Sequence, residues 1–167
     1  MFRLYLALSI SLATPTAAAK PTGTSPITKL DKQVTMSPID ADLRRARAAA
    51  LHQLGRLDDA LADLDVARRV SPEPPESTAL RARILADAGR AVEALDALDG
   101  LITAHPQSPA ALELRGRLRL RRGDPLGAME DLEAACEAPT LERVLLAART
   151  AVSLAQIDRA TELLRRG

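Results

Sequence analysis

The stretch Gly55-Arg56-Leu57-Asp58-Asp59-Ala60-Leu61-Ala62-Asp63-Leu64 returns in altered form from Gly89 and again from Gly123, and that recurrence decides the fold. Gly55, Gly89 and Gly123 are evenly spaced, and Ala60, Ala94 and Ala128 keep the same interval, as do Leu64, Leu98 and Leu132. Ala48, Ala82 and Gly116 make a fourth column, and Pro72 and Pro106 close the first two units. A period of this length marks a solenoid, in which one supersecondary element is stacked repeatedly because it cannot bury its apolar face alone.

Each unit reads as two helices around a glycine turn. After Gly55 the residues Leu57, Ala60, Leu61, Leu64 and Ala67 follow helical spacing, and Ala91, Ala94, Leu95, Leu98 and Leu101 repeat that stripe. Glycine ends the first helix because it accepts a left-handed backbone at no steric cost. Small residues in the Ala48 and Ala60 columns let helices approach closely, and the prolines stop each second helix.

This pattern resembles the tetratricopeptide repeat family, whose units are 34-residue helix pairs with a small residue in the first helix, Gly at the turn, Ala early in the second helix and Pro at the end. The resemblance implies an all-α, right-handed helix-turn-helix solenoid of about three and a half to four repeats. It covers residues 40–167, in units of about 41–74, 75–108, 109–140 and 141–167. The chain departs from the family in lacking its aromatic residues, and in placing Arg47, Arg81 and Arg115 where the family has a buried aliphatic. The first helices are therefore expected to be slightly rotated, with the stems of this arginine ladder packing between helices.

The N-terminus has a different character. Arg3, the apolar run Leu4 to Ala13 and Thr14-Pro15-Thr16-Ala17-Ala18-Ala19 make an export signal with an A-x-A site, too short to span a membrane. Cleavage near Ala19 would release a periplasmic or secreted product. It would also remove Phe2 and Tyr5, the only aromatic residues, and leave the chain without net charge. A neutral protein without aromatics has neither the basic surface nor the stacking platforms of a nucleic-acid binder. Residues 20–39 are rich in Pro, Gly, Ser and Thr and read as a flexible leader. Two roles stay open for it: a spacer, or a guard whose Ile27-Thr28-Lys29-Leu30 docks into the solenoid groove.

At the other end Leu141, Val144, Leu145, Ala148 and Val152 form an amphipathic helix, and residues 157–166 read as a cap. Ala160 follows Ala128 two positions sooner than the regular interval requires, and Ala155 stands at the glycine turn.

Signs of chemistry are sparse. His52 and His105 have no partner at metal-ligand spacing. Cys136 is alone; it reads as a small buried residue, with an intermolecular disulfide or reactive thiol as the alternative. The pairs Asp58-Asp59 and Asp63-Asp65 are expected on the solvent side of their helix, without the divergent environments that acid–base catalysis needs. No enzyme, cofactor or metal is expected.

What remains is a surface. The resemblance implies a concave groove lined by first helices, and the matching residues are His52 and Gln53, then Leu80, Arg83 and Asp87, then Leu114, Arg117, Leu120 and Arg121. These imply a protein or peptide partner that is both acidic and apolar, held by an exported adaptor in a cell-envelope assembly. The competing view has the groove arginines neutralised by neighbouring carboxylates. The family's clamp for chaperone C-termini needs an asparagine where this chain has Ala46, Leu80 and Leu114. A self-associating envelope subunit, joining copies as a homo-oligomer, is the alternative reading.

Overall fold

A computed structural model describes residues 26–166, and within them every regular element is a helix. The order is α1 (Pro26–Met36), α2 (Ala41–Gln53), α3 (Leu57–Val70), α4 (Pro75–Asp87), α5 (Ala91–Ala104), α6 (Pro109–Arg121), α7 (Pro125–Ala135), α8 (Leu141–Ser153) and α9 (Ile157–Arg166). The first helices α2, α4 and α6 begin one period apart, at Ala41, Pro75 and Pro109, and have equal length. Each packs against its own second helix and against the helix before it, which is the nearest-neighbour stacking of an all-α solenoid. The export signal read in residues 1–19 lies outside the described residues.

The turns explain the glycine column. Gly55, Gly89 and Gly123 have φ of 73°, 75° and 77°, a region that side chains other than glycine's rarely enter. In each turn the next amide reaches back to the helix, as Arg56 does to the Leu51 carbonyl at 2.9 Å, and Gly55 donates to the His52 carbonyl. Ala155 takes the same turn at φ 58°. At the opposite helix ends Asp40 accepts from the amides of Asp42 and Leu43, and Thr140 accepts from Arg143.

The small columns form the seam. Ala48, Ala82, Ala60, Ala94 and Ala128 are wholly buried, with Leu64, Leu98 and Leu132 between them. A Cβ on Gly116 would stand 2.9 Å from Leu132 Cγ, so α6 and α7 approach closely there. Each such leucine contributes roughly 1.5–3 kcal/mol by leaving water.

Two expectations change. Residues 26–36, assigned to a flexible leader, form helix α1. The reason is the same register: Ile27, Leu30 and Pro38 stand one full period before Leu61, Leu64 and Pro72, and the end of α1 at Met36 precedes the end of α3 at Val70 by the same step. Val34 is buried and Ile27 packs on the core. Helix α1 meets α2 as α3 meets α4, so it stands at the end of the stack as the second helix of a preceding half-unit. Ile27-Thr28-Lys29-Leu30 therefore belongs to this stacked helix and not to the groove. In the last unit only Val144 and Ala148 of the expected stripe are buried; Leu141, Leu145 and Val152 face out, as do Ile157 and Leu164 on the helix read as a cap.

Candidate functional site

The arginine ladder is the chain's most regular polar feature. Arg115 donates from Nε and Nη2 to both oxygens of Asp131 on α7, at 2.9 and 2.6 Å, and from Nη1 to Asp99 on α5 at 2.6 Å. Arg47 repeats this with Asp63 on α3, at 2.6 and 2.7 Å, and with Asp31 on α1 at 3.3 Å. Each arginine thus ties its own second helix to the preceding one. Hydrogen bonds to Asp63 and Asp131 hold the Arg47 and Arg115 guanidinium groups more firmly charged than usual.

Asp63 corrects the expectation for the acid pairs. Asp58 and Asp59 are exposed, but Asp63 is only 2% exposed, because Arg44 and Arg47 both bond to it. A carboxylate survives burial there only through those partners.

Unit two breaks the pattern. Arg81 keeps its bond to Asp65 at 2.7 Å, but Ala97 stands where Asp63 and Asp131 stand in the other units. Glu73 from the linker accepts from Nε at 3.1 Å, and Nη2 is buried without a partner among the described residues. Unit four abandons the charge altogether: Ala147 and Leu163 occupy the two positions and pack in the second apolar cluster.

The face shared by the first helices carries the predicted groove residues. Between α4, α6 and α8 lies an open cleft of about 380 Å³, lined by Arg83, Ala110, Glu113, Leu114, Arg117 and Glu142 among others. Arg117 bonds Glu113 and Glu142 across it. Burial works against the charge of Arg117, and the hydrogen bonds it donates to Glu142 and Glu113 more than offset that cost. Arg83 and Arg121 are exposed and form no ion pair among the described residues. His52 Nε2 meets Asp87 at 2.7 Å, joining α2 to α4.

The comparisons with known proteins agree with this geometry. The tetratricopeptide repeat profile matches residues 45–109 and 79–141, which together exceed half of the chain. The chain belongs to the tetratricopeptide repeat family. Among solved structures it is similar to MamA from Desulfovibrio magneticus RS-1, at 16% identity and a TM-score of 0.70 over 84% of this chain and 80% of that one. PilW, a type IV pilus biogenesis factor, is similar at 21% identity and a TM-score of 0.71, over 80% of this chain and 64% of that one. The first repeat domain of Spaghetti (RPAP3), solved with the HSP90 peptide SRMEEVD, is similar at 17% identity and a TM-score of 0.63, over 69% and 93%. At such identities the likeness concerns the fold. No curated protein sequence matches the chain.

Within this tetratricopeptide stack the predicted groove residues divide into two groups. Arg83, Leu114 and Arg117 come together around the cleft. Leu80 is half-buried in the first apolar cluster and Leu120 in the second, so each offers only an edge. His52 is engaged by Asp87, and Gln53 and Arg121 lie exposed at helix ends. One residue escaped the sequence reading. Arg149 on α8 continues the column of Arg83 and Arg117, two positions early, and is exposed without an ion pair among the described residues. The contraction already visible at Ala160 was the signal for it.

Cys136 lies at the end of α7, half-buried beside Glu133, Pro139, Val144 and Leu163. Burial pushes its thiol up, away from the reactive thiolate. Among the described residues no group of three or more His, Cys, Asp or Glu could hold a metal ion, and no helix is long and apolar enough to cross a membrane.

Proposed function

We propose that the chain is a non-catalytic protein interaction module that holds an acidic, partly apolar segment of another protein along the face shared by α4, α6 and α8. The supporting observation is a set of exposed arginines on these three helices: Arg83 lines the cleft together with Leu114, Arg149 holds the same register position on α8, and Arg121 lies one turn beyond Arg117 on α6. Unpaired guanidinium groups are suited to carboxylates in a fork geometry that lysine does not offer. The RPAP3 domain, which was solved with a peptide rich in acidic residues, is a precedent within the same fold. His52, Gln53 and Asp87 extend the surface toward the N-terminal end, where the segment's direction and length would be read.

The partner is placed outside the cytoplasm, because Arg3, the run Leu4 to Ala13 and the Ala17-Ala18-Ala19 site make an export signal. The resulting role is an adaptor in an envelope assembly.

Cross-linking and affinity capture from the cell envelope test this reading, with the wild-type protein beside an Arg83→Glu, Arg121→Glu, Arg149→Glu triple variant. Arg117 is left intact because Glu113 and Glu142 already engage it. Selective loss of one captured protein in the variant is the expected result. Identical capture by both forms, or recovery of the chain alone, would reject groove binding.

A further inference from the structure

Four contacts show what the outward edge of a first helix does when another unit follows. Arg45 on α2 donates to the Pro72 carbonyl in the linker to α4 at 3.0 Å, and His52 meets Asp87 on α4. On the same edge two units later, Glu113 on α6 accepts from Arg143 on α8 at 2.8 Å, and Leu120 packs on the apolar cluster that α8 helps build. Arg45 and Glu113 share one register position, and His52 and Leu120 share another. In α8 those positions are Leu145 and Val152, with Leu141 one turn before Leu145. They are 45% and 55% exposed. On the adjoining α9, Leu164 stands in the column of Leu64, Leu98 and Leu132, which are at most 1% exposed, yet it is 52% exposed. The last unit therefore presents the apolar surface of an interior junction. The opposite end is more polar, since the exposed side of α1 carries Thr28, Lys29, Lys32 and Thr35, with Met36 as its exposed large apolar residue.

Charge says what fits. At the interior junctions the second helix offers Asp31, Asp65 or Asp99, and each receives the ladder arginine of the next first helix. The same register position on α9 is Arg165. It is widely exposed, and its ion pair to Glu162 is loose at 3.4 Å. The free end of a second copy is α1, whose exposed side carries Lys29 and Lys32, and like charge against Arg165 disfavours that occupant.

We propose that the end formed by α8 and α9 is a docking surface for an amphipathic helix of another protein, about as long as α4, that seats an apolar stripe on Leu145, Val152 and Leu164 and a carboxylate against Arg165. This is a second surface, separate from the groove.

A peptide copying α4 supplies the probe. It is stapled between the positions of Arg83 and Asp87, because a free helix of this length is marginal in water, and it carries a fluorophore. One form keeps Arg81 and the other carries Arg81→Glu. Anisotropy titrations should show the Glu form binding at least ~10-fold more tightly than the Arg form. In the protein, Arg165→Glu should reverse that order, Leu164→Ser should weaken both forms about 10-fold, and Arg83→Glu should leave both unchanged. Equal affinity for the two forms, absence of binding, or sensitivity to Arg83→Glu instead of Leu164→Ser would overturn the proposal. So would concentration-dependent dimerisation abolished by Leu164→Ser, which assigns the face to a second copy.

Discussion

Units two and three carry the same arginine at the same place and surround it differently. Arg115 is held on three sides by Asp99 and Asp131, with Arg119 sharing Asp131 at 2.9 Å. Arg81 has Asp65 and the borrowed Glu73, beside an open cavity of about 410 Å³ that Ala97 leaves unfilled. The difference teaches that one carboxylate on the second helix decides whether this buried position is satisfied. Where it is lost the chain either patches it from a linker, as in unit two, or removes the charge, as Ala147 and Leu163 do in unit four.

Removing Asp131 should hurt most. Asp131→Ala leaves Arg115 with Asp99 alone and Arg119 with only the Gly127 carbonyl as a close partner, and urea unfolding should show a loss of about 3 kcal/mol. Unit two has Ala97 at the Asp131 position, so the change available there is Asp65→Ala, the counterpart of Asp99; it removes a half-exposed partner and should cost below ~1 kcal/mol. Equal losses would erase the distinction between the units.

Transplanting the apolar solution of unit four comes next. The double change Arg115→Ala with Asp131→Leu, made in an Arg119→Ala background because unit four has Ala151 there, should recover most of the stability lost in Asp131→Ala. A combined variant no more stable than Asp131→Ala would mean that the ion pair itself holds the junction.

Filling the gap in unit two should give a smaller gain. Ala97→Asp places a carboxylate beside the buried Nη2 of Arg81 and should add about 1 kcal/mol. No gain would show that Glu73 already suffices. The smallest effect is expected at the turn of unit four, where Ala155→Gly relieves a left-handed alanine and should raise stability by about 0.5–1 kcal/mol in the same urea titration. The same substitution logic has no counterpart in unit three, whose turn residue is already Gly123.

Periodicity made most of the fold readable, because identical small residues at one interval leave few ways to pack. The columns of Gly55, Ala60 and Leu64 located the turns and seams directly. Helix α1 was hidden by composition: Pro, Ser and Thr around it suggested a leader, although Ile27, Leu30 and Pro38 already kept the register. The partners of the ladder were hidden for another reason. An aspartate on an amphipathic helix looks solvated until an arginine from a different helix is known to reach it, as Arg47 reaches Asp63 across the glycine turn. The groove was legible only in part, since pairing decides which arginines stay available. Arg117 is taken by two glutamates while Arg83 is not.

The ladder also acts as a ruler on the loops. Each arginine sits midway in sequence between one partner position and the next: Asp31, Arg47, Asp63; Asp65, Arg81, Ala97; Asp99, Arg115, Asp131. An insertion or deletion in either connecting loop would unhook a guanidinium from a carboxylate, so these loops tolerate length changes less well than exposed connections usually do. The last unit is the exception that fits the ruler. From Glu133, the successor of Asp99, to Ala147 the separation is two positions shorter, and there the arginine is gone. Freedom to vary in length has passed to a junction that no longer measures it.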